Sequence, residues 1–170
     1  MTEKSDRYDL LFNGRPFAKF ISMDELKNTV AGKKIPELMI MEYLDGDELK
    51  IDPVSNKGDI LVCSVKLRMN FASGLGMNYE LIKDDSAIEY AKNVMKYLPT
   101  DYCVDISTRG GVLMEINPRV STYIYSDNYC PPYLSLKLAM GEMDGKEIKK
   151  YQNNIPIGKR LFRYYGQIDY

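Results

Sequence analysis

Oxygen-bearing side chains are concentrated in one stretch of the chain, YCVDISTRGGVLMEINPR at residues 102–119. Aliphatic and polar residues alternate on both sides of a Gly-Gly pair, which is typical of a β-hairpin because strand side chains point to opposite faces with a period of two. Glu115 and Asn117 therefore share one face. We expect a three-residue loop ending in a left-handed glycine, which puts Asp105 on that face as well. A two-residue Arg109-Gly110 loop would turn Asp105 to the opposite face.

Carboxylate and amide oxygens, without thiolate or imidazole, suit a hard cation such as Mg²⁺, with Mn²⁺ as an alternative. Arg119 lies just beyond Pro118, and its planar guanidinium could stabilise phosphoryl charge. The alternative interpretation is a solvated strand face with ordinary charges, because such alternation is common on half-exposed strands. On the residues alone, both interpretations stay open.

Four segments of the chain resemble ATP-grasp enzymes, in particular the large chain of carbamoyl-phosphate synthase and its short relatives. EINPR at 115–119 is similar to the family's metal-binding signature, and MEYLDGDELKID at 41–52 resembles its adenine-hinge segment. DDSAIEYAKNVMKYLPTDYCVDI at 84–106 and YLSLKLAMGE at 133–142 resemble the elements before and after the metal hairpin. The segments occur in the family's order, so the resemblance covers Leu38 to Glu142.

The resemblance implies a role for each matching residue. Asp105, Glu115 and Asn117 would hold two Mg²⁺ ions, and Arg119 would face the γ-phosphate of ATP. The implied nucleotide contacts are Glu42 at the adenine amino group, the backbone of Tyr43 and Leu44 as adenine hinge, and Glu48 at the ribose hydroxyls.

A further pair of candidates comes from the strand pattern itself. Lys66 and Arg68 lie on the polar face of a strand predicted from Ile60 to Asn70, where they could meet the phosphates of a nucleotide. A one-sided sheet with its charged face in solvent is the alternative.

The resemblance implies an α+β fold, with a mostly antiparallel sheet and helices packed on one face, as in the C-terminal ATP-grasp subdomain. We expect an incomplete N-terminal segment with a short helix over 1–37, the subdomain over 38–142, and a surface connection with a closing strand over 143–170. Helices are predicted to begin at Ser22, Ser86 and Pro131. The apolar run from Leu38 to Tyr43 predicts a buried strand.

The family's smaller lysine-bearing subdomain has no match in residues 1–35. We therefore expect a fragment, a split enzyme or a degenerate relative, completed by the missing N-terminal half or by a partner chain. Independent catalysis is not expected, because phosphoryl transfer needs groups positioned from both sides.

Composition excludes several classes of function. The 23 basic and 24 acidic residues give no basic surplus for nucleic acid. Three cysteines suit a reducing, cytoplasmic location rather than a disulfide framework. The sequence shows no signal-peptide h-region and no long apolar run, so we expect neither export nor a membrane span. The chain has no histidine, which excludes Ser–His and Cys–His catalysis within it.

These observations favour the metal- and adenine-binding half of an ATP-grasp ligase. Its substrates would be a small-molecule carboxylate, activated as an acyl phosphate, and an amine or similar nucleophile. The alternatives are a non-catalytic nucleotide-binding or assembly module, and a structural domain that uses none of these residues.

Overall fold

The computed structural model describes residues 21–72, 75–121 and 126–162 together with Tyr8 and Leu11, except for the side chains of residues 70–77. The chain divides into two compact units: Met1–Tyr43 with Phe71–Leu75, and Leu44–Asn70 with Gly76–Tyr170. Among the described residues, no helix could span a lipid bilayer.

The first unit contains helix α1, Met23–Val30. Ser22 is its N-cap and accepts a hydrogen bond of 3.1 Å from the Glu25 amide, which confirms the helix start predicted from the sequence. The strand predicted from Leu38 to Tyr43 is wrong. Side chains 38–41 are 55–95 % exposed, and in the described part of the chain no strand pairs with this run. An apolar run forms a strand only where a neighbouring strand takes up its backbone hydrogen bonds.

The described residues form one seven-stranded sheet with the order β6-β5-β1-β2-β3-β7, in which β4 also pairs with β1. The strands are β1 Glu48–Asn56, β2 Asp59–Ala72, β3 Leu75–Ile82, β4 Tyr102–Cys103, β5 Asp105–Arg109, β6 Val112–Asn117 and β7 Arg160–Phe162. The pairs that β1 forms with β2, β4 and β5 are all antiparallel. The predicted α+β fold with a mostly antiparallel sheet is confirmed.

The second unit contains three α-helices: α2 Asp85–Tyr97 between β3 and β4, then α3 Pro131–Ala139 and α4 Gly145–Lys149 between β6 and β7. Helix α4 continues into a 3₁₀ helix at Lys150–Asn154. Helix α2 buries Ala87, Ala91 and Met95 against strand residues such as Ile51 and Ile106. Its apolar side chains recur at helical spacing, as expected for a helix that packs on a sheet. This core holds β1 and β5 side by side.

A second apolar cluster joins Val54 and Val62 of the sheet to Leu134 of α3 and Ile148 of α4. The segment 143–170, for which the sequence predicts a surface connection with a closing strand, contains α4 and β7. Ile148 has no exposed surface, and Asp144 and Glu147 form a reciprocal capping box at the start of the helix. Two buried isoleucines, Ile148 and Ile155, and the capped helix start order residues 143–157.

Candidate functional site

The hairpin of β5 and β6 places the predicted metal ligands on one face. Asp105 lies opposite Asn117, and Ser107 lies opposite Glu115. Since Asp105 and Ser107 are two residues apart on one strand, Asp105 and Glu115 share a face, as predicted.

The loop that produces this register differs from the predicted one. Gly110 and Gly111, with φ of +54° and +79°, form a two-residue turn between the paired residues Arg109 and Val112. The register then shifts beyond Thr108, which pairs with Leu113, so that one extra residue of β6 is accommodated as a bulge. Without this bulge, Glu115 would point to the face opposite Asp105.

Strand β1 adds a second row of charged side chains beside the hairpin. Lys50 is the direct cross-strand partner of Ser107 on one side and of Lys66 on the other. Glu48 and Asp52 lie two residues away from Lys50 and therefore point to the same face. Residues of four strands thus carry one continuous polar surface.

Lys50 is the centre of the interactions at the hairpin. Its Nζ lies 3.0 Å from Glu115 Oε1 and 3.6 Å from Asp105 Oδ1, and it also donates a hydrogen bond to Ser107 Oγ. The hydrogen bond from Lys50 is the main reason why the pKa of Glu115 lies below its usual value. The side chain of Glu115 is nevertheless 54 % exposed, so solvent reaches this cluster.

Asp105 and Arg119 form an ion pair in the same cluster. Asp105 is buried, and its Oδ2 lies 3.3 Å from Nη1 of the half-exposed Arg119. Asp105 Oδ1 and Asn117 Nδ2 are buried and have no hydrogen-bond partner among the described residues. Unsatisfied buried polar atoms are costly, and they often mark a place where a ligand or ion completes the bonding.

Lys66 is more deeply buried than Lys50. It is fully buried, its Nζ is 2.8 Å from Asp52 Oδ2, and it donates a 2.9 Å hydrogen bond to Ser121. Burial raises the pKa of Asp52, and Lys66 opposes that rise. Phosphate binding by Lys66 stays a prediction, and it would require the ammonium to leave Asp52.

The predicted nucleotide contacts fall in both units. Glu42 and Tyr43 belong to the first unit and are exposed, whereas Leu44 and Glu48 belong to the second. Glu48 is buried and pairs with Arg68, its cross-strand neighbour, at 2.5 Å.

The donor set of the hairpin fits a hard cation, because Asp105, Glu115 and Asn117 offer only oxygen ligands. Within the described ranges no group of three His, Cys, Asp or Glu residues could hold a metal ion. A metal site at the hairpin would therefore depend on the amide oxygen of Asn117.

Sequence analysis missed Lys50, Ser107 and Ser121 as parts of this surface. The alternation of Glu48, Lys50 and Asp52 was visible, but nothing in the sequence says that β5 crosses over to pair with β1. That pairing brings Lys50 to the predicted metal ligands.

Comparison with known proteins identifies the family. The chain matches the model of a family described as ATP-grasp in the biosynthetic pathway with Ter operon, over residues 34–158. A search of the curated proteins gives no match. The matched segment contains the whole hairpin and the strand that carries Lys50, and it is most of the chain. The protein therefore belongs to the ATP-grasp family and has the ATP-dependent ligase type of fold.

Proposed function

We propose that this chain supplies the metal- and adenine-binding half of an ATP-grasp ligase. The observation that carries the proposal is the convergence of Asp105, Glu115 and Arg119 on one face, in a chain that matches the family model over 34–158. A carboxylate substrate would be activated by transfer of the γ-phosphoryl group, and an amine or similar nucleophile would then displace phosphate.

Each residue has a distinct task in this proposal. Asp105, Glu115 and Asn117 hold Mg²⁺, which supplies neutralisation of the phosphate oxygens when bound. Arg119 is half exposed and lies at the edge of the cluster, so its guanidinium can turn from Asp105 to the γ-phosphate. This is the electrostatic contribution that phosphoryl transfer requires.

The nucleotide contacts complete the proposal. The Glu42 carboxylate and the backbone of Tyr43 and Leu44 bind adenine, and Glu48 binds the ribose. The Arg68 guanidinium orients the Glu48 carboxylate, which suits a hydrogen-bond acceptor for hydroxyl groups. In this proposal, the lysine-bearing half is supplied by the missing N-terminal part or by a partner chain. The isolated chain is therefore expected to bind nucleotide without turning it over.

The test is Glu115→Gln, which removes one negative charge and keeps the size of the side chain. Calorimetry with Mg-ADP and Mg-ATP is expected to show binding to the wild-type chain and loss of its Mg²⁺-dependent part in the variant. In the completed enzyme, the same substitution should abolish turnover. Full Mg²⁺-dependent binding by Glu115→Gln would overturn the assignment.

Glu89→Gln is the matched control. Glu89 lies on α2, its side chain is 59 % exposed, and it also forms an ion pair with a lysine, Lys92. The control therefore loses the same charge, from a carboxylate of similar exposure outside the cluster. It is expected to bind Mg-nucleotide like the wild type.

A non-catalytic nucleotide-binding or assembly module is the second candidate function. This candidate is favoured because Lys50, Lys66 and Arg68 each form an ion pair with a carboxylate of this same chain. Calorimetry followed by an ATP-hydrolysis assay of the completed protein separates the two, because only the ligase half gains turnover on completion.

A further inference from the structure

The ammonium of Lys50 lies between two of the predicted metal ligands. Its Nζ is 3.0 Å from Glu115 Oε1 and 3.6 Å from Asp105 Oδ1, and Ser107 is a third partner. A Mg²⁺ ion bridging the same two oxygens would have to lie about 2 Å from each of them. The Lys50 ammonium fills the space between these two oxygens. A Mg²⁺ ion in contact with the ammonium would be repelled strongly, because both cations would lie among buried side chains.

Lys50 cannot easily withdraw. It occupies an inner strand, with Lys66 and Ser107 as its direct neighbours on β2 and β5, and its side chain is only 10 % exposed. Moving it to solvent would leave Asp105 buried beside Glu115 with less positive charge, which is unfavourable for two carboxylates. Glu115 itself is 54 % exposed, so a cation can reach its outer side while the ammonium stays.

We propose that the Lys50 ammonium takes the place of one of the two Mg²⁺ ions that the resemblance implies. The chain then holds a single divalent ion with its nucleotide, at the exposed side of Glu115 and Asn117. Asp105, the third ligand of the two-ion arrangement, is held instead by Lys50, a fixed cation that positions both carboxylates. This inference rests on the proposed function, because it concerns the same site.

The experiment counts bound Mn²⁺ by electron paramagnetic resonance, with saturating β,γ-imido-ATP, in three forms of the chain. Lys50→Met removes the charge and keeps much of the length of the side chain, and Lys50→Arg keeps the charge. The wild type and Lys50→Arg are expected to hold one Mn²⁺ per bound nucleotide, and Lys50→Met two. Two ions in the wild type, or one ion in Lys50→Met, would overturn the inference.

A metal-only measurement separates this inference from the proposed function. If the wild type binds no nucleotide, the proposed function fails, and thermal unfolding with Mn²⁺ alone still decides the role of Lys50. The melting temperature of Lys50→Met is expected to rise with Mn²⁺ while that of the wild type stays constant.

The folding of the Lys50 variants with and without Mn²⁺ also tests the inference. Should Lys50→Met and Lys50→Gln both unfold without metal, Mn²⁺ is expected to restore their circular dichroism, since the ion replaces the missing ammonium. Failure of Mn²⁺ to stabilise either variant contradicts the inference.

Discussion

Lys50 and Lys66 are direct cross-strand partners, yet their surroundings differ. Lys66 is sealed with Asp52, and the two side chains are 1 % and 4 % exposed. Lys50 is bound by Asp105 and Glu115, and the Glu115 carboxylate is 54 % exposed. Like charges directly opposite each other on a sheet are unfavourable, so each lysine needs its own acid.

This difference shows which ion pair maintains the fold and which one can exchange its partner for a ligand. In a buried ion pair, neither ion can exchange its partner for a ligand without a large cost in free energy, because the other ion would be left unpaired in a medium of low polarity. A half-exposed carboxylate exchanges partners easily, since water screens both states. The face therefore has a fixed part at Lys66–Asp52 and an adaptable part at Lys50–Glu115, and the adaptable part is where a metal or nucleotide would act.

Breaking the sealed pair should have the largest effect. Lys66→Met leaves Asp52 buried without its cation and is expected to lower the free energy of unfolding by about 3–5 kcal/mol. Chemical denaturation followed by circular dichroism measures the loss. The double variant Lys66→Met/Asp52→Leu is the control and should recover most of it, because an apolar pair has no charge to desolvate. A loss below about 1 kcal/mol in the single variant would remove the distinction between the two lysines.

The adaptable part depends on the hairpin turn. The Gly110 amide donates a 3.1 Å hydrogen bond to the Asp47 carbonyl, and a Cβ at Gly110 would lie 2.2 Å from the Asp45 carbonyl oxygen. Gly111 also has positive φ, but a Cβ there meets nothing within 4 Å. Gly111→Ala should cost only the backbone strain of about 1–2 kcal/mol. Gly110→Ala adds a collision with the backbone and should cost clearly more in the same denaturation experiment.

Equal losses in the two alanine variants would show that the turn does not pack against residues 45–47. A larger loss for Gly110→Ala, by contrast, ties the position of the metal ligands to the chain just after Leu44.

Local patterns predicted several elements of the fold. The hairpin, the capped helix α1 and the Pro131 start of α3 follow from alternation, capping and proline geometry, which are properties of neighbouring residues. The pairing of β5 with β1 could not be predicted, because it depends on packing between distant segments. For the same reason the sequence did not indicate that Lys50 meets Glu115.

Besides the strand predicted from Leu38 to Tyr43, two local predictions failed for physical reasons. The bulge of β6 was missed because a glycine pair allows more than one turn. The start of α2 was placed at Ser86, but Asp84 is the N-cap and accepts a 2.9 Å hydrogen bond from the Ala87 amide. Ser86 instead donates to Asp84 Oδ1 at 2.6 Å, so the two residues act together.

The N-cap of α2 provides a test that involves neither Lys50 nor Lys66. Hydrogen bonds from Ser86 and Ala87 favour the ionised carboxylate and lower the pKa of Asp84. Asp84→Ala should cost about 1 kcal/mol at neutral pH. The stabilisation by Asp84 is complete above its unfolded pKa of about 3.9 and is lost as the pH falls through the lowered folded value. Denaturation of both forms between neutral and strongly acidic pH should therefore show a difference that vanishes only in acid.

The smallest effect should come from Glu115, although it is the residue most important for the proposed function. Glu115→Gln loses a half-exposed ion pair while Asp105 remains beside Lys50, so the free energy of unfolding should fall by less than about 1 kcal/mol. Added salt should shrink the difference further, since exposed charges are screened. A loss as large as that of Lys66→Met, insensitive to salt, would mean that Glu115 is as firmly held as Asp52. The carboxylate would then be part of the fixed structure, and its outer side could not turn to a metal ion while Lys50 stays in place.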